Sequence, residues 1–134
     1  RRLTSLTGDE TEAAWSPDGR RIVFQYELDD DRDIYLLDVE GGKVRPLVTG
    51  KGQACYPAWT PDSRSIVYSF GRLTTTAAQA VERGIDEGVN LFRVAVAGGA
   101  PRQLTRGRER DYTPRSTHDG HWLWFTGTHG LRRN

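Results

Sequence analysis

Ala14-Trp15-Ser16-Pro17-Asp18-Gly19-Arg20-Arg21-Ile22-Val23-Phe24 returns 44 residues later as Ala58-Trp59-Thr60-Pro61-Asp62-Ser63-Arg64-Ser65-Ile66-Val67-Tyr68. A third copy follows Pro114 and runs Thr117-His118-Asp119-Gly120-His121-Trp122-Leu123-Trp124-Phe125, with Asp119 standing 57 residues after Asp62. The stretch downstream of each copy keeps the same register. Asp33-Ile34-Tyr35-Leu36-Leu37, Gly41-Gly42 and Arg45-Pro46-Leu47 match Asn90-Leu91-Phe92-Arg93-Val94, Gly98-Gly99 and Arg102-Gln103-Leu104, again at 57. Leu3-Thr4 lies 44 residues before Leu47-Val48, the tail of an earlier unit. The period is therefore 44, and the second copy carries a 13-residue insertion. A fixed period of this size is the signature of a repeat architecture.

Each unit reads as four short strands. The first ends on the Trp. Ser16-Pro17-Asp18-Gly19 has Pro at the second turn position and Gly at the fourth, the chemistry of a type I turn. Ile22-Val23-Phe24 is apolar on consecutive positions, as in a strand covered on both faces. A polar loop over residues 25–32 precedes a third strand from Ile34 to Val39. Gly41-Gly42 then supplies positive φ angles for a hairpin into a fourth strand, Val44 to Val48. Four strands at a period of 44 define a β-propeller blade, stable only when its faces stack on neighbours. The fold class is thus all-β, with four-stranded antiparallel meanders in an incomplete ring. The expected division is a blade tail over 1–8, a blade over 9–50, a blade over 51–107 with its insertion at 70–88, and a half blade over 108–134. Such a count leaves the ring open, and with no Met in the chain, a fragment of a longer polypeptide is expected. Bare blade faces carrying Ile22, Phe24, Ile66, Tyr68 and Trp124 are expected to stack on the remaining blades of the ring, and in the isolated chain to cause self-association or leave it loosely folded.

Composition narrows the classes further. Lys plus Arg is 19 against 18 for Asp plus Glu, a net charge of +1, which argues against a nucleic-acid partner. Apolar residues make up 36% in short runs, far from the ~20 consecutive residues of a membrane-spanning helix. Arg1-Arg2-Leu3-Thr4 opens on no apolar signal region. Cys55 is a lone cysteine, so there is neither a disulfide framework nor a Cys-based zinc site.

The Ala-Trp-Ser-Pro-Asp-Gly-Arg-Arg-Ile-Val-Phe run, with Asp33-Ile34-Tyr35, Gly41-Gly42 and Gly98-Gly99-Ala100-Pro101-Arg102-Gln103-Leu104-Thr105, resembles the repeat of TolB-like β-propellers, a WD-repeat-like family. The resemblance spans nearly the whole chain apart from about residues 70 to 88. It implies a non-catalytic module for protein or peptide binding in an extracytoplasmic, periplasmic setting, as in the Tol–Pal envelope system. It equally implies an alternative, the substrate-gating propeller of a prolyl-oligopeptidase-like or tricorn-like peptidase. The third copy departs from the pattern. Ser116 stands where Trp15 and Trp59 stand, His118 replaces Pro17 and Pro61, and Trp122 and Trp124 are expected to refill the lost aromatic volume.

Connections in a meander alternate between its two ends, so the Ser-Pro-Asp-Gly and Gly-Gly turns share one face of the ring. Loops at 5–12, 25–32, 49–56, 69–89 and 106–112 share the other. Variable loops on a rigid scaffold carry binding residues, which places a site there. Candidates are Glu12 and Tyr56, which with Thr113 begin successive first strands at the axial mouth, and the basic run containing Arg108 and Arg110 beside Tyr112. In the insertion, Thr76-Ala77-Ala78-Gln79 resembles a capping box and suggests a helix near 77–83. Asp29, Asp31 and Asp33 lack the glycine of a calcium loop, and His118, His121 and His129 lack a helix to align them, so no metal is expected. No nucleophile elbow, His-Glu-x-x-His, phosphate loop or dinucleotide fingerprint is present, so neither a catalytic residue nor a cofactor is assigned.

Overall fold

The computed structural model describes residues 2–71, 88–107 and 109–127. The insertion's expected helix, Arg108 and His129 lie outside those residues. Among the described residues, ten strands form two sheets. The first blade holds β1 (Asp9–Trp15), β2 (Arg21–Leu28), β3 (Asp31–Asp38) and β4 (Lys43–Val48). The second holds β5 (Gln53–Trp59), β6 (Ser65–Gly71), β7 (Asn90–Ala95) and the two-residue β8 (Arg102–Gln103). β9 (Asp111–Ser116) and β10 (Leu123–Gly127) pair as a separate ribbon that begins a third. Neighbours within each blade are antiparallel, and neither sheet closes on itself. No described helix is long and apolar enough to cross a membrane.

The repeat recurs in the bonding. A parallel bridge joins Arg32 to Gln53 between the first two blades, and another joins Val89 to Arg110, 57 residues further along on both sides. The turn between first and second strands carries a side-chain lock in every copy. The Ser16 hydroxyl donates to Asp18 Oδ1 (2.6 Å) and accepts from the Arg21 amide (2.9 Å), while Arg20 N–H donates to the same carboxylate (3.1 Å). Thr60 and Asp62 repeat this with Ser65 and Arg64, and Thr117 and Asp119 repeat it with Trp122 and His121. These bonds satisfy turn amides that the strand ladder leaves open. They also hold all three aspartates below the usual carboxylate range, the hydroxyl bond contributing most and the backbone amide next.

Blades interlock through the same motif. Trp59 Nε1 donates to the Ala14 carbonyl of the preceding blade (2.9 Å), and the Asp18 amide donates to Ser63 Oγ of the following one (3.1 Å). Trp59 sits in a core shared by both blades with Val23, Ile34, Leu36, Ile66 and Tyr68. β2 is covered on both sides, as its apolar run requires. Val23 enters the shared core, while Phe24 and Tyr26 pack with Leu37 under Leu6, Ile22 and Tyr35.

Three expectations need correction. Residues 25–32 are mostly strand, because β2 and β3 pair from Arg21↔Asp38 to Leu28↔Asp31 and turn on Asp29 and Asp30 alone, at φ 50° and 68°. The polar residues that suggested a loop lie along the hairpin, where Arg32 pairs with Glu27 (2.9 Å). Phe24, Ile66 and Tyr68 are buried and Ile22 is half-buried, since neighbouring blade and N-terminal tail cover them; of the five residues expected to be bare, Trp124 is exposed. Trp122 and Trp124 do not refill the missing Trp volume, being 73% and 57% exposed.

Candidate functional site at the first strands

The first strand of each blade is broken by one β-bulge. Pairing slips between Thr11 and Ala14 in β1 and between Cys55 and Ala58 in β5, and β10 slips against β9 between Trp124 and Thr126. At each slip a non-glycine residue takes the left-handed backbone region: Glu12 at φ 51°, Tyr56 at 54° and Thr113 at 49°. Such a conformation costs a side-chain-bearing residue about 1–2 kcal/mol, and a bulge re-aims its side chain. These are the three positions that the repeat assigned to the axial mouth. β5 packs against both β1 and β9, so the bulges of successive blades are neighbours.

Two candidate residues meet there. The half-buried Tyr56 and Tyr112 rings lie edge to face, centroids 5.9 Å apart and planes at 82°, joining adjacent blades. Glu12 is exposed, and its charge reaches Cys55, the residue before Tyr56. The Cys55 thiol is pushed up chiefly by burial, opposed by Arg32, whose guanidinium lies 4.0 Å from the sulfur. Cys55 is thus a buried, unreactive thiol behind the site. Thr113 is tied by its hydroxyl to Thr126 (2.8 Å). The Arg110 side chain is exposed, and the residue's bridge to Val89 anchors the segment before Tyr112 to the second blade. Arg108 lies outside the described residues.

An aromatic pair, with an exposed acid on the preceding first strand and an exposed arginine two residues before Tyr112, suits recognition of an extended chain or side chain, and nothing in the group resembles a nucleophile with its base. Among the described residues, no cluster of His, Cys, Asp or Glu could hold a metal ion. Sequence reasoning missed the hydroxyl–carboxylate lock and the cleft it frames at the turn end, between the second and third blades. Ser or Thr at 16, 60 and 117 with Asp at 18, 62 and 119 was the available signal, since the pair persists where Trp and Pro are lost.

Stacked four-stranded meanders whose first strands neighbour one another, with Trp59 crossing from the second blade to the first, define a segment of β-propeller. Its blades have the TolB-like fold. A putative TolB from Agrobacterium tumefaciens superposes with a TM-score of 0.76 at 24% identity, covering 96% of this chain and 42% of that one. TolB from Acinetobacter baumannii gives 0.65 at 20% identity over 92% of this chain and 28% of that one. A prolyl endopeptidase gives 0.64 at 19% identity over 87% of this chain and 18% of that one. The chain spans less than half the length of each of these proteins. No family model matches it, and no curated protein does.

Proposed function

We propose that the chain is a binding module of a TolB-like propeller and takes a protein or peptide partner at the bulged first strands. The observation that carries this is the Tyr56–Tyr112 pair, held by adjacent blades beside a strained bulge in each. Backbone strain repeated at corresponding positions of three units is kept by the surrounding structure and directs side chains to one place. Rigid aromatic rings provide contact area at low entropic cost, and Glu12 with Arg110 gives the rim both signs of charge. The resemblance of the repeat to TolB-like propellers implies a protein partner and an extracytoplasmic setting, and the likeness in fold to the two TolB structures agrees with that resemblance. The endopeptidase likeness supports a second reading, in which these blades gate substrate for a hydrolase carried elsewhere in a longer polypeptide.

Panning a random peptide library on the wild-type chain tests the first reading. Selected peptides should lose binding to Tyr56→Ala and Tyr112→Ala while keeping it to Lys43→Ala at the opposite end. A library that yields no peptide sensitive to Tyr56→Ala or Tyr112→Ala would remove the site.

A further inference from the structure

The third blade lacks its interlocking tryptophan, and a cleft lies at the place where that residue would sit. Around Trp59 the preceding blade supplies Val23, Leu36 and Leu47. One repeat later the corresponding residues are Val67, Arg93 and Leu104, and the residue facing them is Ser116. Two changes coincide: the indole has become a hydroxymethyl group, and a core leucine has become an arginine. These residues line a cleft of about 520 Å3 between the second and third blades, with Leu123 on its wall and Trp122 at its edge. Asp62 and Asp119 also line it, and each engages only its Oδ1 in the turn lock.

We infer that this cleft binds a tryptophan side chain of a peptide partner, seated as Trp59 is seated one blade earlier, next to a basic residue of the same peptide. The chain itself shows that an indole fits between such blades, because Trp59 does so with its N–H on Ala14 O (2.9 Å). Apolar walls at Leu104 and Leu123, above the buried Val67, take the ring, and a guanidinium at Arg93 stacks on its face. The carboxylates of Asp119 and of Asp62, which also feels the Arg93 charge, line the mouth and attract the neighbouring cation. The site lies at the turn end, opposite the loop end of the blades, and does not rest on the function proposed above.

The probe is the tripeptide Lys-Trp-Lys, titrated into the 134-residue chain and followed by amide chemical shifts, with Lys-Ala-Lys as control. Saturable shifts at Ser116, Val67 and Leu104 with the first peptide and none with the second are expected. Ser116→Trp restores the repeat residue and fills the slot, so the affinity should fall by about tenfold or more. Leu104→Lys, on an exposed side chain, blocks the mouth without touching the core and should do the same. Replacing both carboxylates, Asp62→Asn with Asp119→Asn, should weaken the peptide about two- to fivefold and leave N-acetyl-tryptophanamide unaffected. Shifts absent from the cleft, or an affinity unchanged in both Ser116→Trp and Leu104→Lys, would overturn the inference.

Discussion

Trp15 and Trp59 are the same residue at the same repeat position, yet they should differ sharply in what they contribute to stability. Trp59 is 8% exposed within the two-blade core, whereas Trp15 is 57% exposed. Taking about 200 Å2 for a whole tryptophan and about 25 cal/mol per Å2, burial stabilises by about 4–5 kcal/mol at Trp59 and about 2 kcal/mol at Trp15. The bond from Trp59 to the Ala14 carbonyl adds about 1 kcal/mol. Less the burial that an alanine keeps, Trp59→Ala should lower the unfolding free energy by about 4–5 kcal/mol and Trp15→Ala by no more than about 2 kcal/mol. Urea unfolding followed by far-ultraviolet circular dichroism, with the slope held common, measures both. Since a loss of that size can unfold a marginal domain, Trp59→Phe serves as a milder companion, expected to lose about 1–2 kcal/mol. Equal losses at positions 15 and 59, or a larger one at 15, would refute the interlocking role.

Other consequences follow from the turns and the buried ring. Ser63→Ala removes the acceptor for the Asp18 amide while keeping a left-handed backbone at φ 57°, so it should cost about 1 kcal/mol. Ser63→Gly loses the same bond but relieves that backbone, and it should cost less; the reverse order in urea melts would contradict the strained turn. Asp18, Asp62 and Asp119 have folded pKa values below their unfolded ones, so their stabilisation is present above the ordinary carboxylate range and is lost as pH falls below about 4. Carboxyl carbon-13 titrations should show all three depressed; midpoints at the ordinary value would disprove the lock. Burial pushes the Tyr68 phenol up to about 12, so its neutral form favours the fold and stability should fall as pH rises through about 10, where the unfolded phenol ionises. Ultraviolet titration should show a late phenol ionisation near pH 12 in wild type that is missing from Tyr68→Phe.

Some of this was legible in the sequence because the repeat fixes it. Offsets of 44 and 57 reappear as interblade bridges and as bulges at Glu12, Tyr56 and Thr113, since equivalent residues in stacked units meet equivalent neighbours. The meeting of Tyr56 with Tyr112 was not legible as a contact, because it depends on how adjacent blades are set against each other. Residues 25–32 misled because Glu27, Asp31 and Arg32 belong to strands whose charges pair across a hairpin, a pattern that composition alone reads as loop. Ser116 showed a missing tryptophan, but the matching exchange of Leu36 for Arg93 gains meaning only once both are seen to border one slot.

The most direct test of the stacked-blade account is a proton NOESY spectrum of the folded chain. The account predicts cross-peaks from the Trp59 indole N–H to Ala14 and from the Tyr56 ring to the Tyr112 ring, each spanning two blades. A rapidly exchanging Trp59 indole with neither cross-peak would show that the blades do not stack in this register, and the proposed binding surface would go with them.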